Sequence, residues 1–295
     1  MVADFFQNFY LSQEETIIKN FLLASRYLDV EGIHNMIEGI ERLRAFYNLV
    51  GRVNPDYAIH KNLKKIQGLH KTAENVSHLY KQQQTARKWM AESKLDLSEF
   101  YNYLKQNELE ERKRFSKACK KFEFDYFNSL WMKTAKALKN ISADYLQFKT
   151  EERLEEVIDG LLSLNKKQKF SINDYNKIRI QTREAQYVLE IFKKSLPSKN
   201  NLSSLNNSLQ EMHQTLDKWH EDDLGTWLLH DFLNNGSRHS FYSPSSYTAF
   251  QGNLEKGKKT SLSVFRKKWK VFLALIDGTE VLNRSAKNAH YQYKS

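Results

Sequence analysis

Two small clusters of basic side chains hold the residues whose type and spacing could do chemistry. In the first, His34, Arg42 and Arg44 fall within eleven residues; in the second, Arg179 and Arg183 are four apart. Residues four apart on a helix stack along one edge. An arginine guanidinium is a planar fork that can grip two phosphate oxygens, while lysine offers a mobile point charge. A stacked pair can therefore hold adjacent phosphates of a chain, with affinity coming largely from counterion release. His34 contributes a charge only when protonated, so its part grows below about pH 6.5. The competing use of these bases is structural, as ion pairs with Glu38, Glu41, Glu184 and Glu190.

The element that must position the first cluster spans residues 31–52, EGIHNMIEGIERLRAFYNLVGR. At 3.6 residues per turn, Ile33, Met36, Ile40, Leu43, Phe46, Tyr47 and Val50 fall on one arc, and His34, Glu38, Glu41 and Arg42 on the other, with Arg44 at the seam. Two further helices carry basic stripes. One holds Lys113, Arg114, Lys117, Lys120 and Lys121 opposite Phe115, Ala118, Cys119 and Phe122. The other holds Lys259, Arg266 and Lys270 opposite Leu262, Phe265, Trp269 and Ile276. Such a stripe is by default the solvated face of its helix.

Composition narrows the class. The 295 residues carry 46 Lys and Arg against 35 Asp and Glu, a net charge of +11 that points to an anionic partner: polyphosphate, nucleic acid or a membrane surface. Forty per cent apolar residues exclude a disordered chain, and 10 Gly and 3 Pro are too few for a loop-rich β architecture. Cys119 is the single cysteine, which excludes an intramolecular disulfide and a cysteine zinc site; its apolar neighbours imply a buried structural thiol. No basic leader and no run of 18 apolar residues is present, so the expectation is a soluble cytoplasmic protein that no membrane holds. His213, Asp217 and His220 have a spacing compatible with a metal, but a polar seam is the preferred reading and no metal or other cofactor is expected. There is no Gly-rich phosphate loop, HExxH, nucleophile elbow or acidic strand suited to triphosphate hydrolysis. The aromatic residues stand mostly at core spacing, which argues against a base-stacking platform.

Nearly every segment has helical period, so the expected class is all-α. Ser12–Glu15 has capping-box form and opens a helix to about residue 26; Pro55 closes the next. Further helices are expected over 56–90, from Asp96 to as far as 140 with a break, over 143–164, from a second capping box at Ser171–Asp174 to 196 before Pro197, over 201–233, and over 262–282. Residues 234–246 read as a loop. The chain also repeats itself at an offset of 142: His34 meets Asn176, Met36 meets Ile178, Ala45 meets Tyr187, Val50 meets Phe192, Pro55 meets Pro197, Leu63 meets Leu205 and His78 meets His220. The repeat implies two pseudo-symmetric helical bundles of about four helices, over 12–141 and 142–282, within one domain.

The repeated helices resemble the motif H-x-x-R-x-x-x-R-R-x-R, which opens each bundle of the CHAD family, the conserved histidine α-helical domain. The first copy reads His34-Asn-Met-Ile37-Glu-Gly-Ile-Glu41-Arg42-Leu-Arg44. The second reads Asn176-Lys-Ile-Arg179-Ile-Gln-Thr-Arg183-Glu184-Ala-Gln186, with Tyr187, Leu189, Glu190 and Phe192 similar to the family's R-Y-x-L-E-x-F continuation. The resemblance runs from about residue 12 to 277. It implies a non-enzymatic module in which a basic surface made by both bundles binds inorganic polyphosphate, with His34, Arg42, Arg44, Arg179 and Arg183 as matching bases. Arg114, Lys117, Lys121, Arg266 and Lys270 would extend that surface. Ile37, Glu41, Asn176, Glu184 and Gln186 depart from the motif, and the two carboxylates among them oppose a polyanion. The alternative is a diverged scaffold whose basic surface meets an acidic protein or a nucleic acid.

Overall fold

The helical period is realised throughout. In the structure, a computed structural model that describes residues 2–165, 167, 169–195, 201–236 and 244–277, the described residues form nine α-helices and no strand. They are α1 (Val2–Tyr27), α2 (Val30–Val53), α3 (Ile59–Ser93), α4 (Ser98–Lys120), α5 (Asp125–Leu138), α6 (Ala143–Asn165), α7 (Ile172–Ser195), α8 (Asn201–Asp231) and α9 (Pro244–Asp277), with a π-helical turn, Phe232–Gly236, following α8. Among the described residues no helix is long and apolar enough to cross a membrane.

Packing groups the chain into two compact units. The first joins Met1–Leu146 with Lys218–Thr260, and the second joins Gln147–Asp217 with the chain from Ser261 on. This partition differs from the division at 141/142 drawn from the repeat, because α8 and α9 each contribute to both units.

In the first unit, aromatic residues tie α1 to its neighbours. Phe9 stacks on Phe46 of α2 at 5.7 Å, and Tyr10 stacks on Trp131 of α5 at 4.9 Å. The Tyr10 hydroxyl donates to the Phe127 carbonyl at 2.8 Å, which satisfies a polar group in the interior. Gly39 allows α1 and α2 to approach, since a Cβ there would lie 2.8 Å from Cγ1 of Ile17. A second apolar cluster holds α3 and α4 to the C-terminal part of α8 and the start of α9. In it, Phe100 lies 5.5 Å from Phe232 and 6.0 Å from Phe250. Cys119 of α4 is buried, and burial pushes its thiol up to about 12. In the second unit, Phe265, Trp269 and Phe272 of α9 form a ladder with ring spacings of 5.7 and 5.5 Å; the Trp269 indole N–H donates to Asn165 Oδ1 at 3.2 Å.

The element boundaries correct two expectations. Helix α1 begins at Val2, so Ser12 lies inside it and caps nothing; its carbonyl accepts the Thr16 hydroxyl at 2.8 Å. Phe6, Phe9 and Tyr10 are buried, and continuing the helix upstream is what buries them. Helix α9 begins at Pro244 rather than 262, with proline at the first position, where its missing N–H costs nothing. Tyr247, Phe250 and Leu254 form its buried stripe. The expected loop therefore shrinks: 234–236 belong to the π-helical turn and 244–246 to α9. Residues 237–243, the expected helix end at 196 with Pro197, and 278–282 lie outside the described residues.

The second capping box forms as its sequence requires. The Ser171 N–H donates to Asp174 Oδ2 at 2.8 Å, and the Asp174 N–H donates to Ser171 Oγ at 3.2 Å, at the start of α7. Ser171→Ala should lower stability by about 1 kcal/mol in thermal or urea denaturation. Ser12→Ala, with the same local signature but no cap to lose, should stay within about 0.5 kcal/mol of the parent.

Candidate functional site

Helix α2 is positioned from both sides of its sequence pattern. Asp29 caps it, accepting the Gly32 N–H at 2.6 Å, and the seven residues of its expected apolar arc are all fully buried. Part of the opposite face is thereby turned to solvent. His34 and Arg44 are exposed there, with no ion-pair partner among the described residues. Arg42 is instead held along the helix by Glu38 at 3.1 Å. Ile37, where the motif has a base, is 7% exposed and belongs to the core.

Glu41, the first of the two contrary carboxylates, faces a buried histidine. His70 of α3 lies between two glutamates, with Nδ1 3.1 Å from Glu74 on its own helix and Nε2 3.7 Å from Glu41 on α2. Burial opposes charge on the ring, but the bond to Glu74 and the charges of Glu74 and Glu41 outweigh it and lift the pKa to about 9. At neutral pH a histidinium therefore compensates Glu41. These three side chains are the only group among the described residues with the make-up of a metal site. Each ring nitrogen, however, faces a different carboxylate, which is the arrangement of a charge triad rather than of ligands converging on one ion.

The second copy lies in the second unit, and its arginines do stack as their spacing requires. The partner they share is Asp217 of α8. Arg179 Nη1 is 3.1 Å from Asp217 Oδ1 and Arg183 Nη1 is 3.8 Å from Oδ2. Arg183 also donates from Nε to the Tyr187 hydroxyl at 2.8 Å and lies 3.1 Å from His213 Nε2. Burial works against the Asp217 charge, but His213, Arg179 and Arg183 outweigh it and hold the carboxyl well below the usual range. Glu184, the second contrary carboxylate, is neutralised by Arg153 of α6 at 2.6 Å. Each carboxylate that replaces a motif base has thus acquired a cation from a neighbouring helix. In the triplet His213, Asp217 and His220, His213 bonds Asp217 at 2.9 Å, and the His220 ring meets His78 at 6.0 Å. Those two histidines are the pair matched by the repeat.

The stripe on α4 comes together with α3. Arg114, Lys117 and Lys121 line an open groove of about 550 Å³ with Lys65, over a floor of Gly68, Leu69, Ala118 and Phe122. Arg114 is paired with Glu111 at 2.5 Å and Lys65 with Glu123 at 3.6 Å, while Lys117 and Lys121 have no ion-pair partner among the described residues. Lys65 belongs to no motif; its signal in the sequence is a Lys64–Lys65 pair opposite Leu63, Ile66 and Leu69 on α3. On α9, Arg266 and Lys270 are exposed in the second unit, again without an ion-pair partner among the described residues.

Among the described residues, helices alone, carrying arginine and lysine on their outer faces, define an all-α protein. The chain belongs to the CHAD domain family, whose profile matches residues 14–230. It is similar to the crystal structure of the CHAD domain from the plant Ricinus communis, with a TM-score of 0.73 at 15% identity over 92% of each chain. PptA from Streptomyces chartreusis shares the fold with a TM-score of 0.64 at 11% identity, over 91% of this chain and 99% of that one. No curated protein sequence matches the chain.

Proposed function

We propose that the chain is a non-catalytic, cytoplasmic binding protein for inorganic polyphosphate. The observation that carries this reading is the set of exposed bases without an ion-pair partner among the described residues: His34 and Arg44 on α2, Lys117 and Lys121 on α4, Arg266 and Lys270 on α9. Glu41 and Glu184, which would repel a polyanion, are compensated by His70 and Arg153. Membership in the CHAD family supports polyphosphate as the polyanion.

The test is a titration of long-chain polyphosphate against single-stranded RNA of matched charge, at two salt concentrations. Polyphosphate should bind more tightly, with log affinity falling linearly against log salt. Arg44→Ala should flatten that slope by roughly 0.7, the value for one base on a single-stranded polyanion. Equal weak binding of both polymers, or none, would overturn the polyphosphate reading in favour of a diverged scaffold for an acidic protein or nucleic acid. Release of phosphate from polyphosphate or nucleotides would overturn its non-catalytic part.

A further inference from the structure

The groove between α3 and α4 has a lining that bare polyphosphate does not use. Its rim is basic, with Lys65, Arg114, Lys117 and Lys121, but its floor is apolar, made by Leu69, Ala118 and Phe122 and left open by Gly68. An inorganic phosphate chain is charged and hydrated along its whole length, and gains nothing by covering hydrocarbon. A ligand with an anionic tail and a flat, weakly polar body matches both parts. The groove's size falls in the range of small-molecule sites.

Gly68 adds an independent observation. It stands in the interior of a 35-residue helix, where glycine is among the weakest helix formers. Nothing local demands it. Its backbone is not left-handed, and a Cβ built there would meet no atom within 4 Å. What a side chain at this position would occupy is the groove.

We infer that this groove binds a nucleoside polyphosphate, with the base against Phe122 and Leu69 and the phosphates on Lys117, Lys121 and Arg114. Phe122 is half-buried and held by the rings of Phe21, Phe124, Tyr126 and Phe127, 5.7, 6.2, 5.7 and 5.6 Å away, so it is a fixed surface for a planar base. Four cations on the rim suit the several charges of a nucleoside triphosphate better than the single head of an acyl phosphate. Lys117 and Lys121, which have no ion-pair partner among the described residues, are the ones ready to pair without first losing a carboxylate.

The experiment measures binding of ATP, inorganic tripolyphosphate and a soluble short-chain acyl phosphate to the full chain by calorimetry, at one ionic strength. ATP should bind at least about tenfold more tightly than tripolyphosphate, a gap of about 1.4 kcal/mol. Gly68→Leu, which plugs the floor and leaves every base in place, should remove that advantage while leaving tripolyphosphate and long-chain polyphosphate binding unchanged. Gly68→Ala should raise the melting temperature, and Gly68→Leu should melt no lower than the parent, which shows that lost binding is not lost folding. Lys117→Glu with Lys121→Glu should abolish ATP binding. Tripolyphosphate binding as tightly as ATP, acyl phosphate binding more tightly than ATP, or an unaltered ATP affinity in Gly68→Leu would each overturn the inference. Polyphosphate binding is read separately in the same variants, so failure of the nucleotide site is distinguishable from failure of the polyphosphate reading.

Discussion

Between pH 6.5 and 9 the protein should lose on the order of 3 kcal/mol of stability that a His70→Gln variant does not lose over the same range. The sign follows from the triad. The folded pKa of about 9 lies above the ordinary 6.5, because Glu41 and Glu74 favour the charged ring more than burial disfavours it. The folded state therefore binds a proton more tightly than the unfolded state does. That advantage is complete below pH 6.5 and is lost as the pH rises through about 9. Urea denaturation of both proteins at pH 6, 7.5 and 9 isolates the contribution of His70 from other groups titrating in the window. Parallel curves for the two proteins would sink the assignment. The same titration reaches the binding face. Deprotonating His70 removes one positive charge beside Glu41 on α2, so polyphosphate binding should also weaken toward pH 9, beyond what Arg44→Ala alone explains.

The second large effect is expected at Asp217. Removing its charge with Asp217→Asn takes away the carboxylate that Arg179 and Arg183 share, and should tighten polyphosphate binding while steepening the salt slope by roughly 0.7, the share of Arg179. Arg179→Ala with Arg183→Ala should do the reverse and leave Asp217 without either arginine. Breaking a fully buried pair costs about 3–5 kcal/mol; with a third of the Asp217 side chain in water, about 2 kcal/mol is the expectation here. The triple variant Arg179→Ala, Arg183→Ala, Asp217→Asn should recover much of that stability but none of the binding. Should the double arginine variant bind polyphosphate as the parent does, those residues serve the fold alone.

What the sequence made legible was the face each residue takes; the neighbour it meets was not. The period over residues 31–52 identifies the buried arc of α2 and places His34 and Arg44 outside it, because periodicity is a local property of one helix. The partners of the charged residues come from elsewhere in the chain. Asp217 is 38 positions from Arg179, Arg153 is 31 from Glu184, and His70 reaches Glu41 from the next helix. No spacing rule within one helix reports such pairs. The two capping boxes show the same limit at an element boundary. Ser171 follows a polar run and caps; Ser12 follows an aromatic stripe whose burial carries the helix straight through it. At α9, the Gly, Asn, Pro and Ser residues over 234–246 obscured a stripe of Tyr247, Phe250 and Leu254 that lengthens the helix by more than four turns.

Cys119 has a practical consequence. A thiol at about 12 is almost wholly protonated at pH 7 to 8, and only the thiolate is reactive, so this side chain should resist maleimide and iodoacetamide labelling in the folded protein. Because it is the chain's single cysteine, any cysteine introduced on the surface becomes a unique attachment point with no need to mutate the native one. A fluorophore at position 266 would report polyphosphate arriving on α9 by its colour and lifetime.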